Sequence, residues 1–196
     1  MNVLLDIKNY YLQNHGLPFA QCKVEDFIPA LKSSIETALE NIESYKKDTQ
    51  ISYGAIIARL EEINDEIDLI SSMFFTFNSA HSTQEIEDIA AEISTMISSY
   101  SSAISLDEKI FARIKLAYEN QKDWNLSFEE TRILETTYKS FVRNVALLAS
   151  SDKETLRQID NDLGQLSVKF SSNVLKATNH YFLHITEEKE LEGIPE

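Results

Sequence analysis

His180 and His184 stand four positions apart, and their spacing is the one in this sequence that most invites a chemical role. On a helix, imidazoles at i and i+4 share a face and supply the ligand half of the zinc motif H-E-x-x-H. Here the motif glutamate is replaced by Tyr181, no third ligand follows, and Tyr181-Phe182-Leu183-His184-Ile185 has strand-like content that would spread the rings beyond one helical turn. The pair reads as ordinary, partly exposed histidines. A di-iron carboxylate bundle requires Glu-x-x-His on two helices. The residues three before His15, His81, His180 and His184 are Leu12, Asn78, Ala177 and Tyr181, so that chemistry has no ligands. His15 beside Gly16 reads as a helix-end residue near the last carbonyls, and His81 reads the same way ahead of a helix cap at Ser82. Cys22 has no neighbouring base and lies in an apolar loop, which describes a neutral thiol rather than a nucleophile. Gly54 and Gly164 stand alone, so no glycine-rich phosphate loop exists. The acidic runs Glu61-Glu62, Asp65-Glu66 and Glu85, Glu87, Asp88 read as solvated helix faces. Trp124 and the Phe74, Phe75, Phe77 group read as packing residues rather than a cofactor box. The residues assign no catalytic, cofactor-binding or metal site to this chain.

The elements that would position any site are helical. With Gly 4 and Pro 3 among 196 residues, the chain lacks the turn residues that β-sandwiches and doubly wound α/β folds consume. Ser-x-x-Glu capping boxes occur at Ser82/Glu85, Ser105/Glu108, Ser127/Glu130 and Ser151/Glu154, each opening an apolar series at 3.6 spacing. Phe27, Ile28, Leu31, Ile35, Leu39 and Ile42 form one stripe; Ile56, Leu60, Ile63, Ile67, Ile70, Phe74 and Phe77 form the next. Ile86, Ile89, Ile93 and Ile97 follow, then Ile110, Phe111, Ile114 and Tyr118, then Leu134, Tyr138, Phe141, Val145 and Leu148. The last is Leu156, Ile159, Leu163, Leu166, Phe170 and Val174. This pattern predicts an all-α antiparallel bundle of six amphipathic helices, a short N-terminal helix over Val3 to Leu12, and a strand-like C-terminal tail, all in one domain over residues 1–196. An unpaired strand is unstable, so the tail at 181–185 expects a partner from outside this sequence.

Lys+Arg 18 against Asp+Glu 32 gives a net charge of −14, which argues against a nucleic-acid partner. Apolar stretches such as Met73-Phe74-Phe75 are far shorter than the ~20 residues a membrane span needs. The N-terminus reads as no signal peptide, since Asp6 and Lys8 interrupt its apolar residues, and a single cysteine fits a reducing cytoplasm.

In order along the chain, several stretches resemble the N-terminal helical region of the oligopeptidase A, peptidyl-dipeptidase and thimet oligopeptidase family of zinc metallopeptidases. Leu17-Pro18-Phe19 and Val24-Glu25-Asp26-Phe27-Ile28-Pro29-Ala30-Leu31 are similar to its opening turn and helix, and Ile57 to Glu61 to the start of its second long helix. Phe77-Asn78-Ser79-Ala80, Glu92-Ile93-Ser94, Leu134-Glu135 and Phe141-Val142-Arg143 follow in the family's order. The fullest block is Leu163 to Leu166, Phe170-Ser171-Ser172-Asn173-Val174-Leu175-Lys176-Ala177-Thr178 and Leu191-Glu192-Gly193-Ile194-Pro195. Departures occur at Tyr53-Gly54-Ala55-Ile56 and at Asn144-Val145.

The resemblance implies a parent enzyme in which a later H-E-x-x-H and a further Glu hold zinc, the metal acidifies a water, and short peptides are hydrolysed. It implies that this chain stops before that catalytic domain, which would be its partner, and that it forms one wall of the substrate channel and is inactive alone. A free-standing helical interaction module that kept the scaffold without the catalysis is the competing expectation.

Overall fold

The computed structural model describes residues 2–143 and 150–193. Among the described residues, seven α-helices carry the fold: α1 Ile7–Asn14, α2 Phe27–Lys47, α3 Arg59–Ala80, α4 Gln84–Ser105, α5 Glu108–Asn120, α6 Phe128–Phe141 and α7 Ser150–His180. The all-α bundle predicted from periodicity is what forms. Short helical turns precede α1 (Val3–Asp6) and α2 (Val24–Asp26), and a π-helical turn, Gly54–Ala58, leads into α3. Residues 181–187 leave α7 without regular secondary structure, and among the described residues no strand is present to pair with them. Val145 and Leu148 of the expected sixth-helix stripe, the Ala149 connection, the Asn144-Val145 departure and the Ile194-Pro195 match lie outside the described residues.

Of the four serine capping boxes, one forms as expected. Ser127 Oγ accepts from the Glu130 N–H at 3.2 Å while Glu130 Oε2 accepts from the Ser127 N–H at 2.8 Å. At α4 the cap moves one residue to Thr83, whose hydroxyl accepts from Ile86 N–H, and Ser82 turns instead to Glu87. At α5 the cap is Asp107, whose carboxylate accepts from Lys109 and Ile110 N–H at 2.7 and 3.0 Å. A carboxylate accepts more strongly than a serine hydroxyl and also complements the helix dipole. Ser105 therefore remains the last residue of α4. Ser151 already lies inside α7, its hydroxyl donating to Asp152.

Hydrogen-bond and ion pairs between helices show antiparallel neighbours. Ser34 meets Glu66 and Ser44 meets Arg59 across α2 and α3, while Tyr100 donates to Asn64 Oδ1 at 2.6 Å across α3 and α4. The apolar faces converge on one core in which Phe27, Leu31, Ile56, Ile57, Ile70, Met73, Phe74, Ile93, Ile110 and Leu134 are essentially inaccessible. Phe27 meets Phe74 edge-on at 5.3 Å and Phe77 at 6.1 Å, and Trp124 packs partly buried against the same core. The phenylalanine group and Trp124 are packing residues, as their spacing suggested.

One cation lies inside this core. Arg113 of α5, 8% exposed, stacks over the Tyr45 ring at 4.8 Å and donates to the carbonyls of Gln50 and Ala55 at 3.2 and 3.3 Å. Ala55 belongs to the π turn. A wider π turn directs carbonyls away from the helix ladder, and here one of them receives the buried guanidinium. Burial pushes the Tyr45 phenol up to about 12 against the counter-pull of Arg113, and burial does the same at Tyr100, to about 12.

The two phenols stay neutral in the folded state after the unfolded chain would have ionised them near 10. Their contribution to stability is complete below pH 10 and is lost as pH rises from there through 12. Absorbance titration at 295 nm should resolve a late class of tyrosines, and chemical denaturation should show stability falling across that window; a single class ionising near 10 contradicts the burial. In the core, Ile93→Ala should cost about 2–4 kcal/mol by leaving a cavity. Phe128→Ala, at a side chain 87% exposed, should change urea stability by less than about 0.5 kcal/mol.

Candidate functional site

The histidines do not converge. His15 is the left-handed C-cap of α1, with φ 51°, its N–H bonded to the Tyr11 carbonyl, which is the helix-end role expected for it. His81 likewise closes α3 through the Phe77 carbonyl. His180 is the last residue of α7, its Nδ1 lying 2.7 Å from the Lys176 carbonyl, and His184 lies four residues on in the irregular, exposed segment. The helix therefore ends between the two rings, and they do not share a helical face. Among the described residues no three His, Cys, Asp or Glu side chains cluster so as to hold a metal ion. The donor set of this chain does not fit a zinc centre of the H-E-x-x-H kind.

Two clefts open at the end of the bundle where α3 turns into α4. The larger, about 800 Å³, lies between the approach to α2 and the start of α4; Phe27, Ile28, Phe77, Ile86 and Ile89 supply its apolar lining. Cys22, Lys23, His81, Glu85 and Asp88 supply polar groups around it. Burial, and then the Asp26 carboxylate, push the Cys22 thiol up, so it is neutral near pH 7 and a poor nucleophile. The second cleft, about 650 Å³, lies between α7 and the α3–α4 turn, with Phe75, Val168, Phe170 and Val174 against Glu87 and Ser172.

Glu87 is the residue that sequence reasoning placed wrongly. It was expected on a solvated face, yet its side chain is only 18% exposed and gathers three partners. Lys176 Nζ lies 3.0 Å away, and Ser172 and Ser82 hydroxyls donate at 3.2 and 3.5 Å. Lys176 first, with the serines, holds its carboxyl below the usual glutamate range. Asp65 and Glu66 are also half-buried, engaged by Lys8 and Ser34 respectively, whereas Glu62, Glu85 and Asp88 are exposed as expected. Glu61 is exposed as expected; partial burial, then the Asp68 and Asp65 charges, push its carboxyl up, and partial burial and then the Asp65 charge do the same at Asp68. Ser94 and Ser98 stand two and three helical turns beyond Glu87 on the same face, and that spacing would have been the sequence signal, but serine-rich faces carry no hydrophobic periodicity.

The α4–α7 seam continues in polar pairs. Ser102 donates to Asp160, Ser99 to Asn161 and Gln165 to Thr95, and Lys153 pairs with Glu108 at 2.6 Å beyond the end of α4. At its centre Gly164 lies so near α4 that a Cβ there would stand 3.0 Å from Ser94 Oγ. Small side chains on both helices set this close approach. The consequence is an inversion of most of the expected burial of α7: of its predicted stripe Leu156 is half-buried, whereas Ile159, Leu163, Leu166, Phe170 and Val174 are 47–70% exposed.

No family model matches the chain. It is 27% identical over 189 residues to the "Probable cytosolic oligopeptidase A" of Arabidopsis thaliana, a match covering 95% of this chain and 27% of that protein. The dipeptidyl carboxypeptidase of Escherichia coli is 24% identical over 187 residues, again 95% of this chain and 27% of the relative. The oligopeptidase A of Haemophilus influenzae is 26% identical over 194 residues, 98% of this chain and 28% of the relative. The chain is related to the oligopeptidases. It spans about a quarter of the length of the relatives it matches.

If Glu87 ties α7 down, Glu87→Gln should leave the bundle core intact while hydrogen exchange accelerates a few-fold in the C-terminal half of α7. Glu85→Gln, at an exposed neighbour, should leave that exchange unchanged. Because the Glu87 carboxyl is held below its ordinary value of 4.5, the tether is complete above that pH and is lost as pH falls through the lower folded value. Exchange rates in α7 that do not respond to acid or to Glu87→Gln contradict this assignment.

Proposed function

We propose that this chain is the helical, non-catalytic portion of a zinc oligopeptidase or peptidyl-dipeptidase that hydrolyses short peptides. In this reading residues 1–196 form one domain on one wall of the substrate channel, and the domain is inactive alone. The observation that carries the reading is the collinear match: peptide-cleaving relatives align with 95% of this chain while extending to nearly four times its aligned length. The chemistry of the chain is consistent with a supporting role. His15, His81, His180 and His184 are followed by Gly, Ser, Tyr and Ile, so no H-E-x-x-H is present in the sequence. The zinc, and the glutamate that would act as general base on a metal-activated water, belong in this reading to a catalytic domain outside these residues. That domain is the proposed partner, short unfolded peptides are the proposed substrates of the whole enzyme, and the cytoplasm is the proposed location.

A second reading, a helical interaction module that keeps the scaffold without catalysis, draws on the exposed apolar face of α7. The coding sequence beyond Glu196 separates the two: a continuing frame bearing H-E-x-x-H supports the first, and an immediate stop codon supports the second. Independently, the chain incubated with zinc and an internally quenched fluorescent peptide should release no fluorescence above background. Robust turnover abolished by a chelator would overturn the assignment of catalysis to other residues.

A further inference from the structure

We propose that the outer face of α7 is a self-pairing surface, on which two copies of this chain pack α7 against α7 in antiparallel orientation about a two-fold axis near Leu166. The inference stands on this chain's own residues and does not rest on the peptidase reading.

Ile159, Leu163, Leu166 and Phe170 follow the alternating four-three spacing of a two-helix seam, and Val174 flanks it at an e position. All are at least 47% exposed; Ile159, Leu163 and Leu166 turn away from the seam with α4, whose contacts come from Lys153, Asp160, Asn161, Gln165, Ser172 and Lys176, while Phe170 and Val174 also border the cleft toward the α3–α4 turn. Over Ile159 to Val174 the stripe is about 24 Å long, at 1.5 Å per residue, a contiguous apolar surface of the kind that marks an interaction site.

The charges beside the stripe select its occupant. In heptad terms Leu163 and Phe170 occupy a and Ile159 and Leu166 occupy d, so Asp162 and Lys169 occupy successive g positions on one flank. Both are exposed, and among the described residues Asp162 is engaged by Gln158 of its own helix at 2.9 Å. Antiparallel helices bring g beside g. A two-fold axis between residues 165 and 166 therefore sets Asp162 of each copy against Lys169 of the other, forming the pair twice. Parallel pairing would bring g beside e, setting Asp162 against Ser167 and Lys169 against Val174, with no ion pair. The flank is thus complementary to itself in one orientation. It is also locally balanced in a chain whose net charge of −14 opposes self-association through other faces.

Sedimentation velocity over low to high micromolar concentration should show the chain passing from monomer to dimer. Leu163→Glu combined with Leu166→Glu should abolish the dimer while leaving the helical circular dichroism unchanged, since both side chains are in solvent. Asp162→Lys alone and Lys169→Asp alone should each weaken dimerisation about tenfold, because each places like charges together twice. The double exchange Asp162→Lys with Lys169→Asp should restore it to near the original value. A chain monomeric at every concentration overturns the proposal and leaves the stripe to a different occupant, such as further polypeptide of the same protein. A dimer indifferent to the leucine substitutions overturns it, as does a double exchange no better than the single ones.

Discussion

The carboxylate of Glu87 holds the position on which the outer half of the molecule depends. It stands near the start of α4, at the end of the bundle, and takes Lys176 and Ser172 from α7 together with Ser82 from the α3–α4 turn. The α3–α4 turn and the start of α4 are thereby fixed at one point to α7, which is 85 residues further along the chain at Ser172. The charge is also at a favourable place on its own helix, in the first turn of α4 where the exposed N–H groups favour an anion. From there the seam runs as serines, an asparagine and a glycine to Lys153 and Glu108 at the far end. A helix held this way gains little from the hydrophobic effect, because the surface it covers is polar. Its attachment instead requires that hydrogen-bond partners stay in register along the full length of α4.

The inner half obeys a different logic. Helices α2 to α5 bury aliphatic and aromatic side chains in one contiguous core, and their single buried cation is absorbed by an aromatic face and two carbonyls. The π turn at Gly54–Ala58 belongs to that arrangement, since the Ala55 carbonyl is one of the two acceptors. It coincides with Tyr53-Gly54-Ala55-Ile56, where the sequence departs from the oligopeptidase pattern. A local change in backbone and a buried arginine on another helix therefore form one structural unit, which neither position announces alone.

The helices were legible because isoleucine, leucine and phenylalanine recur at 3.6 spacing and because the chain contains so few turn residues. Helix starts were less legible. A serine three residues before a glutamate is a weak competitor where Thr83 or Asp107 stands closer to the true first turn. Which face of α7 turns inward was not legible at all. Periodicity reports that a helix has an apolar face, and the ordinary inference is that this face meets the core of the same chain. Here Gly164 and the small residues of α4 permit an approach so close that the polar face wins that position, and the apolar stripe is left outward.

That outward stripe bears on how far this chain is self-sufficient. A core of fully buried side chains joins α1 to α6, and among the described residues α7 adds no fully buried apolar side chain to it. The 31 residues of α7 carry an apolar stripe that is 47–70% exposed, and covering the exposed part would stabilise the helix by up to roughly 1.5 kcal/mol per side chain. Surface of that kind is conserved energy of association only if something complementary covers it. The relatives carry nearly three further lengths of polypeptide for each length aligned here, and the stripe carries charges that match a second copy of itself. Both occupants would satisfy the same side chains, and they exclude one another, because each needs Leu163, Leu166 and Phe170. Pairing of the isolated chain and completion by further polypeptide would therefore compete for a single helix face, with the polar seam to α4 undisturbed in either case.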